Sequence, residues 1–309
     1  PVMAVDFEVW YSSVIVKALG VYSNIEKDYS GIVYTAYEDS GYGIIKSSSV
    51  IVKSTSSAVV GLNKNTTYWY EVRSYNGDGE TSGATYSWKA TRIEEVEGLI
   101  FSMPNANTIL TRPAPEGYSN LVSGDSGIII YNVTASSDSL WRQTTSWWEG
   151  PKDLVPGKEY VYRGRSRNCE RLENWDTIDI STYTLSAVAE VQELEAVGSG
   201  NINIKIDTKG NDSSVEYAIM VSSADIGDGE WYYIQEDSGA GVTAEWMMYS
   251  ELGGVSGITT QGLNANSTYW VKVNSRNGNG VESGYSGIVS TVTLIEEPTG
   301  LTVGFVGST

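Results

Sequence analysis

The chain has 309 residues, of which 40% are hydrophobic, and 20 basic against 38 acidic residues give a formal net charge of −18. This length and apolar content suffice for more than one packed core, which excludes an intrinsically disordered chain. The negative charge opposes phosphate binding, so we expect no nucleic acid partner. No apolar stretch approaches the roughly 20 residues of a membrane helix, so we expect no membrane span.

The histidine and cysteine content of the chain excludes several common kinds of catalytic and metal site. The chain has no histidine, and Cys169 is its single cysteine. An internal disulfide, a histidine-based triad and histidine-ligated zinc are therefore excluded. An acidic chain rich in Ser, Gly and Tyr and nearly free of cysteine is common among bacterial and archaeal surface proteins. We expect an extracellular or cell-surface protein with no catalytic residues.

Short runs of β-branched and aromatic residues recur along the chain and are separated by Gly, Ser, Asn and Asp. Such runs predict β-strands, and helical periodicity is almost absent. Examples are "SVIVKA" at 13–18, "GIVYTAYE" at 31–38, "GIIIYNVT" at 127–134 and "NINIKID" at 201–207. The density of these runs predicts an all-β chain built of two-sheet β-sandwiches.

One segment of the sequence is repeated. "GLNKNTTYWYEVRSYNGDGETSG" at 61–83 matches "GLNANSTYWVKVNSRNGNGVESG" at 262–284 at most positions, and "DLVPGKEYVYRGRSRNCE" at 153–170 is a third copy. After the tyrosine of each copy, alternate residues form one face, which predicts a half-buried strand that leads into a tight turn. Each copy pairs a leucine with a tyrosine six residues later: Leu62 with Tyr68, Leu154 with Tyr160, and Leu263 with Tyr269.

A second repeated segment marks the seams between units. "TRIEEVEGLIF" at 91–101 aligns with "TLIEEPTGLTV" at 293–303, and "AEVQELEAV" at 189–197 is a looser version. These seams predict module 1 at 1–95, module 2 at 96–190 and module 3 at 191–297. Residues 298–309 are predicted to be the first strand of a further module, or a strand donated to a neighbouring chain.

The Leu-x5-Tyr pattern, the alternating residues after it and the Asn near the following turn resemble the E–F corner and F strand of fibronectin type III domains. The resemblance implies three tandem fibronectin-III-like β-sandwiches plus the first strand of a fourth. It also implies that the three leucines fill cores and that each tyrosine hydroxyl bonds to backbone a few residues upstream. The tryptophan expected on the second strand is absent from "SVIVKA", "NTILTR" and "NINIKI", which leaves other immunoglobulin-like sandwiches as alternatives.

Aromatic and methionine residues supply the candidate interaction sites. Trp147 and Trp148 are adjacent, so on a strand they point to opposite faces, and an exposed indole stacks on a sugar or anchors a protein partner. The alternative is that one faces the core and a neighbouring module shields the other. Module 3 carries an insertion, in which we predict either a short helix that caps the sandwich or a contact surface: Trp246, Met247, Met248 and Tyr249.

The acidic pairs Glu94/Glu95 and Glu296/Glu297 occupy equivalent seam positions. A catalytic pair has no need to be repeated, so these residues indicate a solvated linker or calcium ligands, and we expect no other cofactor. The sequence favours a non-enzymatic structural, spacer or filament-forming segment of an extracellular surface protein. Its expected partners are itself, through head-to-tail strand addition, other surface proteins or a glycan. The alternative is an accessory segment, for carbohydrate binding or spacing, of a secreted carbohydrate-active enzyme.

Overall fold

The computed structural model describes residues 2–223 and 230–300 of the chain. The described residues form antiparallel strands and one short 3-10 helix, Gly254–Ser256. Successive strands group into three pairs of sheets along the chain. The prediction of an all-β chain of tandem sandwiches is confirmed. The described part of the chain contains no helix with the length and hydrophobicity required to span a bilayer.

Module 1 is a sandwich of a three-stranded and a four-stranded sheet, with strand orders β1-β2-β5 and β4-β3-β6-β7. Strand β6 alternates as predicted, because Tyr68, Tyr70 and Val72 are buried while the residues between them are half-buried. The strands are β1 Ala4–Val9, β2 Ser13–Leu19, β3 Gly31–Tyr37, β4 Ile45–Ser48, β5 Ser56–Val60, β6 Thr67–Tyr75 and β7 Thr85–Ala90.

Module 2 repeats this organisation, with strand orders β12-β9-β8 and β11-β10-β13-β14. In β13 the same alternation buries Tyr160, Tyr162 and Ser166. The strands are β8 Gly98–Asn105, β9 Thr108–Ala114, β10 Gly127–Asn132, β11 Ser137–Asp138, β12 Trp148–Glu149, β13 Glu159–Arg167 and β14 Ile180–Tyr183.

Module 3 has a three-stranded sheet of order β15-β16-β21 and a larger sheet of order β19-β18-β17-β22-β23, in which β20 also pairs with β17. The strands are β15 Glu190–Gly198, β16 Asn201–Asp207, β17 Glu216–Ser222, β18 Tyr232–Ile234, β19 Ala240–Gly241, β20 Met247–Met248, β21 Ile258–Thr259, β22 Thr268–Arg276 and β23 Val289–Val292.

Of the two alternatives predicted for residues 246–249 of the insertion in module 3, the short helix is wrong. Met247 and Met248 are extended, and Met247 pairs with Tyr217 at the end of β17. Pairing with β17 satisfies backbone hydrogen bonds that a helix would otherwise have to make internally. The side chain of Met247 is 3% exposed and belongs to the core of module 3, so it is not available as a contact surface.

The chain divides into two compact units, one of Pro1–Ser102, Leu110–Gly150 and Val161–Ser181, the other of Met103–Ile109, Pro151–Tyr160 and Thr182–Thr309. The first contains the core of module 1, built around Tyr34, Tyr68 and Tyr70. The second contains the core of module 3. The module boundaries at 95 and 190 stay predictions. Of the predicted strand at 298–309, residues from 301 onward lie outside the described residues.

Candidate functional site

Each of the three repeated tyrosines holds the loop before it in the same way. The hydroxyl oxygen accepts a hydrogen bond from the backbone N–H five residues upstream, from Asn63 to Tyr68 at 2.9 Å, from Val155 to Tyr160 at 2.9 Å and from Asn264 to Tyr269 at 2.8 Å. All three tyrosines are buried. Leu62 and Leu154 are buried as well, whereas Leu263 is half-buried and packs against the core of module 3.

We call the loop held by each tyrosine hydroxyl the tyrosine-pinned loop. In each of these loops, the residue three positions before the tyrosine has a positive φ. This residue is Asn65 at φ 47°, Gly157 at φ 69° and Asn266 at φ 47°, and Asn and Gly are the residues that tolerate this region best. Its backbone N–H donates to the carbonyl of Arg92, Leu185 or Leu294, at 2.9, 3.0 and 3.1 Å respectively. The three modules therefore present the same backbone shape at this end.

We call this end of each module its exit face. Each exit face consists of four residues. They are the positive-φ residue of the tyrosine-pinned loop, a buried threonine, and the two seam residues that lie two and three positions after this threonine. The threonine hydroxyl donates to the backbone carbonyl two residues before the positive-φ residue. The exit faces consist of Asn65, Thr91, Ile93 and Glu94 in module 1, of Gly157, Thr184, Ser186 and Ala187 in module 2, and of Asn266, Thr293, Ile295 and Glu296 in module 3.

The side chain of Asn65 lies at the centre of the joint between modules 1 and 2. Its two Nδ2 hydrogens are shared among three acceptors, the carbonyls of Ser119 and Asn120 and the hydroxyl of Ser126, each 2.9 Å from Nδ2. Its Oδ1 accepts the backbone N–H of Cys169 at 2.8 Å. Asn65 is fully buried, and all four of these partners belong to module 2. A buried carboxamide is stable only when such partners are present, so the joint is specific.

Glu94 adds a charged contact to the same joint. Its carboxylate accepts hydrogen bonds from the Ser119 backbone N–H at 3.0 Å and the Ser119 hydroxyl at 2.7 Å, and Lys64 lies 3.4 Å away. Partial burial on its own raises the pKa of Glu94, but the hydrogen bonds from Ser119 and backbone, together with Lys64, outweigh burial and lower the pKa. The carboxylate is therefore ionised at neutral pH.

We call the opposite surface, which receives the exit face, the entry face. In module 2 it includes Asn168, whose Nδ2 donates to the carbonyl of Thr91 at 2.9 Å, and Ser166, whose hydroxyl donates to the carbonyl of Glu94. Asn174 donates from Nδ2 to the carbonyl of Ile93 at 2.7 Å. The backbone carbonyls of the seam are thereby satisfied by side chains of the next module.

The second joint repeats two of these contacts within the second unit. Asn277 donates from Nδ2 to the carbonyl of Thr184 at 2.9 Å, and the Ser275 hydroxyl donates to the carbonyl of Ala187 at 2.8 Å. The central contact differs, because Gly157 stands where module 1 has Asn65. A Cβ on Gly157 would lie 2.1 Å from Cγ2 of Val215. The second joint is therefore apolar where the first is polar.

The sequence pattern predicts that Asn76, Asn168 and Asn277 share one face of their strands, but it does not predict which of them a neighbouring module covers. Asn168 and Asn277 are buried in joints, whereas the equivalent Asn76 of module 1 is exposed. The looser seam sequence at 189–197 lies beyond Thr184, so the sequence pattern does not identify Thr184 as the exit-face threonine of module 2. A signal was available, since Thr91 and Thr293 open the two seams that align well.

The predicted interaction residues lie in two different units. Trp147 is 41% exposed, and the guanidinium of Arg112 stacks 4.9 Å from the centre of its ring. Trp148 is half-buried on β12 opposite Thr111. In module 3, Trp246 and Tyr249 are half-buried, and the guanidinium of Arg276 lies 4.6 Å from the ring centre of Trp246.

The acidic residues of the first seam have protein partners. Besides the contacts of Glu94, Glu95 accepts a hydrogen bond from the hydroxyl of Tyr11. Burial and this bond raise the pKa of Tyr11 to about 12. Across residues 2–223 and 230–300, no group of three or more Asp, Glu, Cys or His side chains is placed to hold a metal ion. Calcium binding at the seams stays a hypothesis.

No protein-family model and no curated protein sequence matches the chain. Among solved structures, the FN1–FN3 domains of chicken CNTN1 match 94% of this chain and 98% of theirs at 12% identity and a TM-score of 0.29. A two-domain fibronectin type III segment of chicken tenascin matches 59% of this chain and 98% of its own at 18% identity and a TM-score of 0.41. The chain folds as an array of fibronectin-III-like β-sandwiches. Its sheet orders and its three tyrosine-pinned loops carry this assignment.

Proposed function

We propose that the chain is a non-enzymatic structural or spacer segment of an extracellular surface protein. In this role its joints hold neighbouring fibronectin-III-like modules in a fixed orientation. The observation that carries the proposal is the buried carboxamide of Asn65 with its four hydrogen bonds to module 2. Opening the joint replaces these bonds with bonds to water, at a net cost on the order of 1 kcal/mol each.

A joint of this kind restricts bending. Even if the four bonds of Asn65 together contribute only about 3 kcal/mol, the open joint is populated on the order of 1%. A flexible linker lacks such bonds and samples many orientations. A spacer that keeps the distance between its ends requires the restricted joint.

The test measures the distance between spin labels on modules 1 and 2. Ile44 and Leu140 are exposed and belong to the first unit, so both are suitable label sites after substitution by cysteine in a Cys169→Ser background. We expect a narrow distance distribution in this background and a broad one after adding Asn65→Gly. Asn266→Gly is the matched control and leaves the distribution narrow. A broad distribution in the background protein contradicts the proposal.

Self-association is part of the proposal, and its first form is head-to-tail addition of the strand at 298–309, most of which lies outside the described residues. Electron microscopy of negatively stained full chain and of a chain lacking 298–309 tests it. Polymers that depend on this segment support strand addition. Polymers that persist without it exclude that route of assembly.

A carbohydrate-binding accessory segment is the second candidate. It is favoured by a cleft of about 510 Å³ in the first unit, lined by Trp10 and Trp175 together with Tyr11, Arg92 and Glu95. Trp10 is 54% exposed and Trp175 is 83% exposed, and exposed indoles beside polar groups suit the faces and hydroxyls of sugar rings. Glycan-array binding that is lost in Trp175→Ala, or in Trp147→Ala at the sequence-predicted pair, supports this function. An array without signal removes it.

A further inference from the structure

We propose that module 3 of one chain docks through its exit face onto the entry face of module 1 of a second copy, reproducing the joint between modules 1 and 2. The inference rests on the proposed structural function and names the partner of its self-association. It depends on side-chain contacts between folded faces, and not on donation of the strand at 298–309.

The four residues that define the exit face are the same in modules 1 and 3, although Leu294 of module 3 stands where Arg92 donates hydrogen bonds to Glu173 and Asn174 of module 2. The seam reads "TRIEE" at 91–95 and "TLIEE" at 293–297, and Asn266 has the φ of 47° that Asn65 has. The residues of the two exit faces differ in their exposure. Asn65 and Ile93 are both 0% exposed in the first joint, whereas Asn266 is exposed and Ile295 is 74% exposed. Module 3 therefore displays the apolar and polar groups that module 1 buries against module 2.

The entry face of module 1 is equally similar to that of module 2. The receiving loop reads "YSNIEKDYSG" at 22–31 and "YSNLVSGDSG" at 118–127. Asn24 and Asn120 have φ values of 60° and 49°. The same backbone turn closes both loops, from Ser30 N–H to the Lys27 carbonyl at 2.9 Å and from Ser126 N–H to the Ser123 carbonyl at 3.0 Å. The shape that receives Asn65 in module 2 thus exists in module 1.

In module 1 this loop borders an open groove of about 530 Å³, which Ser23, Ser30, Ser74 and Asn76 help to line. The equivalent surface of module 2 is filled by the exit face of module 1. Ser126 is 2% exposed and Asn168 is fully buried there, whereas Ser30 is half-buried and Asn76 is exposed. The groove therefore has the position and the lining of an unfilled joint.

Three polar contacts of the first joint have counterparts in these two faces, whereas Ser82 stands in module 1 where Asn174 donates to the Ile93 carbonyl. Ser23 stands where Ser119 binds Glu94, so it is placed to bind Glu296. Ser30 stands where Ser126 accepts from Asn65, so it is placed to accept from Asn266. Asn76 has the position from which Asn168 donates to the Thr91 carbonyl, and the Thr293 carbonyl is the matching acceptor. A second copy thus supplies a partner for each of these three groups.

The second joint shows that this match is selective. There, Gly157 faces Val215 without a carboxamide or a hydroxyl. Asn266 and Ser30 match the polar pair Asn65 and Ser126 of the first joint. The exit face of module 3 therefore fits the entry face of module 1, and it does not fit the entry face of module 3, where Val215 stands. The contact joins different surfaces of two copies, which gives a head-to-tail assembly that grows into chains or closes into rings.

Net charge modulates this contact. Each copy carries a formal charge of −18, so two copies repel each other at long range. Salt screens that repulsion within about 10 Å at 0.1 M ionic strength. Assembly is therefore expected to strengthen as sodium chloride rises from 10 to about 150 mM, unlike an assembly held by exposed ion pairs.

The test is sedimentation velocity over a range of concentrations. It compares the full chain with the single variants Asn266→Gly and Ser30→Val and with the double variant. The double variant places glycine against valine, as Gly157 and Val215 stand in the second joint. The full chain is expected to form concentration-dependent multimers. Each single variant is expected to weaken association about tenfold or more, since one good buried polar contact has at least that effect. The double variant, or an equimolar mixture of the two single variants, is expected to recover association.

Circular dichroism of each variant checks that the modules remain folded, and Asn65→Gly is a control that alters the internal joint only. The proposal is overturned if the full chain stays monomeric at every concentration and salt level. It is equally overturned if the single variants assemble like the full chain, or if assembly is lost only when 298–309 is deleted. The spin-label distances across the first joint test the structural function separately, so the two ideas fail independently.

Discussion

The side-chain amide of Asn168 donates a hydrogen bond to the backbone carbonyl of Thr91, 2.9 Å away, across the joint between modules 1 and 2. The Asn168 carboxamide oxygen is held at the same time by the N–H groups of Glu170 and Leu172, at 3.0 and 2.8 Å. One side chain therefore closes its own turn and fastens its module to the preceding one. Asn277 does the same with Thr184 in the second joint.

The tyrosine-pinned loops make a prediction about stability. Tyr68→Phe removes the acceptor of the Asn63 N–H, and we expect it to lower the free energy of unfolding by about 1–2 kcal/mol. Tyr70 lies two residues further along β6 and is fully buried, but within the described residues its hydroxyl has no hydrogen-bond partner. Tyr70→Phe is therefore expected to be neutral or slightly stabilising. Urea denaturation monitored by tryptophan fluorescence measures both, and equal losses would contradict the prediction.

The buried carboxamide of the first joint makes a second prediction. Asn65→Gly keeps the positive φ without strain but removes four hydrogen bonds, so we expect a loss of about 2–4 kcal/mol. Asn266→Gly has the same backbone effect at an exposed position, and is expected to cost no more than about 1 kcal/mol in dilute protein. Thermal denaturation of both variants separates the two contributions. A large effect at Asn266 in a monomeric sample argues against this account.

The lowered pKa of Glu94 predicts a pH dependence. A carboxyl whose folded pKa lies below its ordinary value of 4.5 contributes stability that is complete above that value and lost as pH falls through the folded pKa. Glu94→Gln is therefore expected to be less stable than the natural chain at pH 7, by about 1 kcal/mol. The two proteins should converge at acidic pH.

The control for this titration is Glu296→Gln, which changes the equivalent but exposed carboxylate of module 3. Melting temperatures of the natural chain and both variants, measured from pH 7 to pH 3, give the comparison. A difference between the natural chain and Glu94→Gln that stays constant down to pH 3 would show that the carboxylate charge is not part of the joint.

The apolar contact of the second joint predicts a double-mutant coupling. Gly157→Asn places a side chain against Val215, where even a Cβ lies 2.1 Å from Cγ2, and is expected to cost about 2–3 kcal/mol. Val215→Ser recreates the hydroxyl that receives Asn65 in the first joint, but removes an apolar group from the core of module 3. The double variant is expected to be at least about 1 kcal/mol more stable than the sum of the single effects. Strict additivity in urea denaturation would refute this coupling.

The sequence by itself determined the strands and the pinned loops. Alternation after Tyr68, Tyr160 and Tyr269 is a local property of an extended backbone, and it predicted the buried face of β6, β13 and β22. The short runs of β-branched and aromatic residues predicted the all-β fold. The repeated Leu-x5-Tyr segment predicted the tandem organisation, because each copy requires the same surroundings.

Only the tertiary structure decided which of the repeated polar residues are buried. Asn76 and Asn168 occupy the same place in their modules, yet one is exposed and the other lies against Thr91, 77 residues away in the chain. Met247 pairs with β17 instead of forming a helix for a similar reason, because the free edge of a distant strand supplies its backbone partners. Burial between modules depends on which surfaces meet, and local sequence carries no information about a surface that it does not itself form.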